Sequence, residues 1–156
     1  MTLSKKIISF LIFATLAFGA SAWGGMVTRL YKEPWYSTII KPDFNPPDWI
    51  FAPMWITLYL AMSVAIWLIW INPKRDEKII YVYFIHLLIN GSWSIFFFAL
   101  HLILVSLIII GIIIFFVLWL IKLYYPINKL SSFLMIPYLA WLGYAFILNF
   151  YIFILN

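Results

Sequence analysis

Trp55, Trp141 and Asn90 stand inside long uncharged stretches of the sequence, and few other side chains there can do chemistry. An indole offers a broad face on which a flat ring can stack. A carboxamide in hydrocarbon must find a hydrogen-bonding partner, from another helix or from a ligand, because leaving it bare is expensive. Residues on one helix face fall three, four and seven apart, which groups Trp55 with Tyr59 and Met62, Asn90 with Trp93 and Phe97, and Trp141 with Ala145 and Leu148. A basic segment bearing Arg29, Lys32 and Lys41 precedes the first group. Three aromatic or polar faces converging below such a segment suit a flat aromatic ligand with acidic edges, stacked on indoles and capped by cations.

Reaction chemistry has much less support. The five acids, Glu33, Asp43, Asp48, Asp76 and Glu77, all fall in predicted loops, and there is no cysteine. Paired carboxylates, a nucleophile–base pair, thiolate catalysis and cysteine-ligated metal therefore have no basis in the sequence. His86 and His101 lack metal-ligand spacing and read as structural or interfacial. Neither a metal nor a resident cofactor is expected.

The elements that position these groups are membrane spans. Apolar residues make up 67% of the chain and charged residues 10%, with a mean hydropathy of +1.07, far from the roughly quarter-charged balance of soluble domains. The formal charge of +5 is scattered over short loops, so it marks topology and no nucleic-acid partner is expected. Uncharged intervals run 7–28, 49–73, 79–121 and 130–156. A helix needs about 20 residues to cross the hydrocarbon, so three intervals hold one helix each and 79–121, about 65 Å as a helix, holds two. The turn between them is placed near Ala99–Leu102, although no glycine or proline marks it; breaking at Asn90–Gly91 or Gly111 would leave a piece of only about ten residues. The fold class is all-α: a polytopic membrane protein, one domain over 1–156, with a five-helix bundle of 7–28, 49–71, 79–99, 103–121 and 132–154. Strands are excluded because open sheet edges cannot sit in lipid.

Five spans put Lys5, Lys6, Lys74, Arg75, Lys78, Lys122 and Lys129 on one side, and only Arg29, Lys32 and Lys41 on the other. The positive-inside rule then places the N-terminus in the cytoplasm and the C-terminus outside, and the Ile- and Lys-rich usage points to a bacterial plasma membrane. The first span also looks like a signal peptide, with Lys5-Lys6, an apolar run and Ala20-Ser21-Ala22. Trp23 to Thr28 extend it to spanning length, and the Ala20/Gly24 and Ser21/Gly25 pairs suit close helix packing, so a retained helix is expected. The outward loop 29–48 is stiffened by Pro42, Pro46 and Pro47, which fix φ and remove donors. Pro53 and Pro137 sit early in their spans, where each frees a carbonyl and can kink the helix. Trp49, Trp67, Trp70 and Trp119 read as interface belt or packing.

Trp35-Tyr36 followed by Lys41-Pro42 and Pro46-Pro47 leads into Phe51, Trp55, Leu58-Tyr59 and Met62. Later come Asn90 with Trp93, Phe97-Phe98, His101, Pro137-Tyr138 with Trp141, and Ala145 with Leu148-Asn149. In this order the chain resembles, along essentially its whole length, the TspO family of tryptophan-rich sensory and translocator proteins, once called peripheral benzodiazepine receptors. The resemblance implies a five-helix membrane protein, a homodimer, whose pocket binds porphyrins such as protoporphyrin IX and other hydrophobic small molecules beneath the first loop, for transport, sensing or tetrapyrrole regulation. Carried onto this sequence, the ligand-binding set is Tyr36, Lys41, Pro46, Pro47, Phe51, Trp55, Tyr59, Asn90, Trp93, Phe97, Tyr138, Trp141, Ala145 and Leu148. Two alternatives stand beside it: a light- and oxygen-dependent porphyrin-degrading enzyme working through Trp55 and Trp141, and a structural membrane adaptor whose tryptophans only pack. Cholesterol binding is not expected, since nothing basic follows Lys129.

Overall fold

Five helices are long and apolar enough to cross a membrane. In the computed structural model, which describes residues 1–156, the chain runs through α1 (Leu3–Tyr31), a single turn α2 (Trp35–Thr38), α3 (Phe51–Trp70), α4 (Glu77–Ser94), α5 (Ile103–Tyr124), α6 (Lys129–Leu134) and α7 (Ile136–Leu155). A tight turn at Asp48–Ile50 leads into α3, and a wider turn at Ile95–Ala99 prolongs α4.

Local chemistry accounts for the ends. Asp76 caps α4 by accepting from the Lys78 amide at 2.9 Å, and Asn128 caps α6 through the Ser131 amide at 3.2 Å. The last span differs from the single helix 132–154 expected from sequence. It starts at Lys129 and breaks at Met135, because Pro137 has no amide to donate to Phe133 and its ring crowds that carbonyl. The first helix also runs on to Tyr31, so Arg29 belongs to the end of α1 and not to the loop.

The unmarked turn between the third and fourth spans falls at Leu100–Leu102. The Leu100 amide reaches back five residues to the Ile95 carbonyl at 2.9 Å, and Leu102 to Phe96 at 2.8 Å. His101 then adopts φ 55°, the left-handed region in which Asn, Asp and His are enriched. Its ring lies parallel to Trp35 with centroids 4.3 Å apart, so the turn and the outer loop support each other.

In the bundle α1 packs on α3 and α4, α5 on α4 and α7, and α6 on α3 and α5. The core is centred on Met62, Ile66 and Ile69 of α3, Tyr83 of α4, Ile113 and Val117 of α5, and Met135 and Tyr138. Lipid is as apolar as these side chains, so close packing and interhelical hydrogen bonds must hold the helices together. Trp67 donates from Nε1 to the Lys6 carbonyl at 2.9 Å, Asn149 from Nδ2 to Ser106 Oγ at 2.9 Å, and Ser132 from Oγ to the Ile121 carbonyl at 2.9 Å. Trp49 and Trp119 lie exposed on the outer faces, while Trp70 packs edge-on against Phe13 and carries the Arg75 guanidinium 4.4 Å from its centroid.

Candidate ligand-binding cavity

Between α1, α3, α4, α5 and α7, below the outer loop, lies a cavity of about 540 Å³. That volume falls in the range of small-molecule sites, roughly 300–1,000 Å³. Three indoles line it, from Trp55, Trp93 and Trp141. Trp55 and Trp141 meet nearly perpendicular at 6.5 Å, Phe51 stands edge-on to Trp141 at 5.9 Å, and Trp93 stacks on Phe97 at 4.9 Å. The indole N–H of Trp93 is buried without a protein partner, which leaves a donor in the wall.

The floor is a chain of neutral hydrogen bonds that joins three helices. Tyr59 donates to Asn90 Oδ1, and Asn90 donates from Nδ2 to the Tyr138 oxygen at 2.6 Å. The Tyr138 hydroxyl therefore spends its own hydrogen on His86 Nε2, 3.0 Å away. This order puts the imidazole proton on Nδ1. It also leaves Asn90, which lines the cavity, with one N–H uncommitted.

The roof is the loop. Tyr36 packs edge-on against Phe97 and Phe98 and donates to Asn45 Oδ1 at 3.1 Å. Burial, reinforced by the nearby Asp48 carboxylate, pushes its phenol up to about 12, so it is a neutral donor at working pH. Lys32 pairs with Asp48 and ties the end of α1 to the entry of α3. Asn156 holds both backbone polar groups of Ile40 at 2.9 Å, and Tyr144 donates to the Phe44 carbonyl at 2.7 Å.

Of the fourteen residues in the ligand-binding set carried onto this sequence, Tyr36, Phe51, Trp55, Tyr59, Asn90, Trp93, Phe97, Trp141, Ala145 and Leu148 lie around this cavity. Four do not. Lys41 turns its ammonium to the Tyr36 carbonyl at 2.6 Å and lies 4.6 Å from the Tyr36 ring, bracing the loop instead of capping the cavity. Pro46 and Pro47 shape the loop chain beside it, Pro46 accepting from Asn45 Nδ2 at 3.2 Å. Tyr138 is fully buried behind the floor, where it positions Asn90. Arg29 lines the mouth and has no carboxylate partner, whereas Lys32 is already paired.

The largest omission from the sequence reading is the wall formed by α1: Ala20, Ser21, Gly24, Gly25 and Thr28. Their small-residue spacing is visible in the sequence, but as a signal of helix packing. Gly24 does pack. A Cβ there would stand 3.3 Å from Ser94 Oγ, so Gly24→Leu is expected to overpack this contact and lower stability by about 1–3 kcal/mol. Thermal unfolding of the variant checks this, and an unchanged midpoint would mean the contact is not held.

The sequence model of the TspO/MBR family matches residues 11–155. The chain is 35% identical over 158 positions to the tryptophan-rich protein TspO of Archaeoglobus fulgidus, covering 100% of this chain and 99% of that one. It is 36% identical to the translocator protein homolog of Schizosaccharomyces pombe over 82% of each chain. The translocator protein of Sus scrofa is 34% identical over 74% of this chain and 71% of its own.

Proposed function

The chain belongs to the TspO/MBR family, and from that premise we propose that it binds porphyrins and other flat hydrophobic molecules in the cavity beneath the outer loop. The observation that carries this reading is the meeting of three indoles, from α3, α4 and α7, in one cavity with a neutral polar floor and an unpaired cation at its mouth. Trp55, Trp93 and Trp141 supply stacking faces, Asn90 and the Trp93 indole supply N–H donors, and Arg29 pairs an acidic edge. Porphyrin bound here serves transport, sensing or tetrapyrrole regulation in a homodimeric protein.

Protoporphyrin IX added to the purified protein is expected to quench tryptophan fluorescence saturably, because a planar acceptor stacked on an indole quenches efficiently. Arg29→Gln should weaken the diacid by a few-fold, and its dimethyl ester hardly at all, since an exposed ion pair contributes up to about 1 kcal/mol. Equal loss for both ligands would remove Arg29 from the site. Degradation of the bound ring is the second reading, favoured by Trp55 and Trp141 standing edge to face in the same wall. Loss of porphyrin absorbance under light and oxygen that needs both indoles would establish it.

The seven-to-three distribution of basic residues supports an N-terminus in the cytoplasm and the loop outside. The cysteine-free chain makes the check direct. A cysteine at Ser37 is expected to react with an impermeant maleimide on intact cells, and one at Lys74 only after permeabilisation. Reaction of both from outside would exclude this orientation.

A further inference from the structure

The outer half of α1 buries few of its own residues. Phe13 and Ala17 are buried toward one end and Val27 toward the other, with no buried residue in the nine-residue stretch between Ala17 and Val27. That stretch contains Gly19, Gly24 and Gly25, each of which weakens a helix by about 1 kcal/mol relative to alanine. A Cβ at Gly19 or Gly25 would touch nothing within 4 Å. On both flanks of this segment the cavity comes close to lipid. Toward α3, the lining residues Gly25, Ala52 and Ile56 are themselves exposed. Toward α4, an apolar groove of about 490 Å³ runs along the outer face past Leu16, Trp23 and Leu88. The groove and the cavity share two residues, Ala20 and Gly91. Between groove and cavity stand the Ala20 methyl group, the backbone of Gly91 and the edge of the Trp23 indole.

The aqueous side is held more firmly. Lys32–Asp48, the Asn156 clamp on Ile40, the Tyr144 bond to Phe44 and the stacking of Trp35 on His101 all fix the loop above the cavity.

From this contrast we propose that the segment Phe18–Met26 of α1 is a movable gate, and that the cavity takes its ligand sideways from the hydrocarbon rather than through the loop. The inference rests on the ligand-binding reading and narrows it: the ligand class is flat, apolar molecules dissolved in the bilayer. Trp23, half exposed in the groove, is the first aromatic face such a molecule meets.

The Ala20–Gly91 wall offers the test. A Cβ at Gly91 would lie 3.9 Å from that of Ala20, inside the roughly 3.5–4.5 Å separation that a disulfide requires, and the chain has no other cysteine. The Ala20→Cys/Gly91→Cys protein, reconstituted in lipid vesicles, is to be compared oxidised and reduced, with protoporphyrin IX and tryptophan quenching as the readout. The reduced double variant, which carries the same two substitutions in the cavity wall, sets the reference rate of exchange. When oxidised, with α1 pinned to α4, association should slow by at least about tenfold, as expected when a gating motion limits passage. Porphyrin loaded before oxidation should stay bound on dilution until reductant is added. Exchange equally fast in both states would overturn the gate, and so would a second copy of the chain that already holds α1 in place and makes exchange indifferent to the disulfide. Failure of porphyrin to quench even the native protein is a different result: it removes the binding reading, and the gate with it.

Discussion

Replacing Trp55 and Trp141 together by alanine is expected to abolish most porphyrin binding. Stacking of a flat ring on an indole contributes about 1–3 kcal/mol by alanine substitution. Each single variant should therefore bind roughly five- to 150-fold more weakly, and the double variant weaker still. The two rings lie 6.5 Å apart, close enough to share a ligand, so the double loss need not equal the sum of the singles. Titration of protoporphyrin IX followed by absorbance measures the affinity without depending on the deleted fluorophores. Trp119→Phe, on an exposed face of α5, should leave it unchanged. If the double variant binds as tightly as the native chain, these indoles only pack.

Asn90→Leu is expected to lower stability by cutting the chain of hydrogen bonds at the cavity floor. The amide joins Tyr59 of α3 to Tyr138 of α7 by hydrogen bonds, and both tyrosines are buried. Leucine is close in size, so the change removes polarity and leaves little void, but it strips a partner from two phenols. A buried polar group left without its partner costs about 1–3 kcal/mol, and a loss in that range is expected on thermal or denaturant unfolding in detergent micelles. Tyr59→Phe removes one bond of the chain and should lose less. Equal midpoints for Asn90→Leu and the native protein would show that the floor does not hold the helices together.

The five spans are legible because charge is so costly in hydrocarbon that its absence outlines them. Even the turn at Leu100–Leu102, which has no glycine or proline, follows from length alone. What length cannot reveal is how the backbone makes such a turn, which here depends on His101 accepting a left-handed conformation under Trp35. Helical spacing likewise places Trp55, Asn90 and Trp141 on inward faces, since large polar or aromatic residues announce themselves. The α1 wall does not, because Gly and Ala look the same in sequence whether another helix or an empty cavity lies beside them. Lys41 and Tyr138 show a further limit. A lysine's reach lets it cap a ligand or fold back on its own loop with equal ease, and only the position of the Tyr36 carbonyl decides. Tyr138 lies three residues from Trp141, on the same helical face, so spacing alone assigns both to the cavity, and its partner His86 carries no motif that would have shown it behind the floor.

The polar groups at the cavity floor, Tyr59, Asn90, Tyr138 and His86, are hydrogen-bonded to one another as neutral species, and all ten basic and five acidic residues sit toward the ends of the spans or in the loops. The bundle interior therefore has no gating charge on which a transmembrane voltage can act. Work done by the membrane potential falls on the ligand alone, at about 2.3 kcal/mol per elementary charge per 100 mV. A diacid porphyrin carried across the full bilayer would feel twice that, with a sign that favours movement toward the positive side, whereas its uncharged ester would cross with no electrical bias. On the proposed reading, voltage thus acts through the ionisation of the bound porphyrin and not through the bundle.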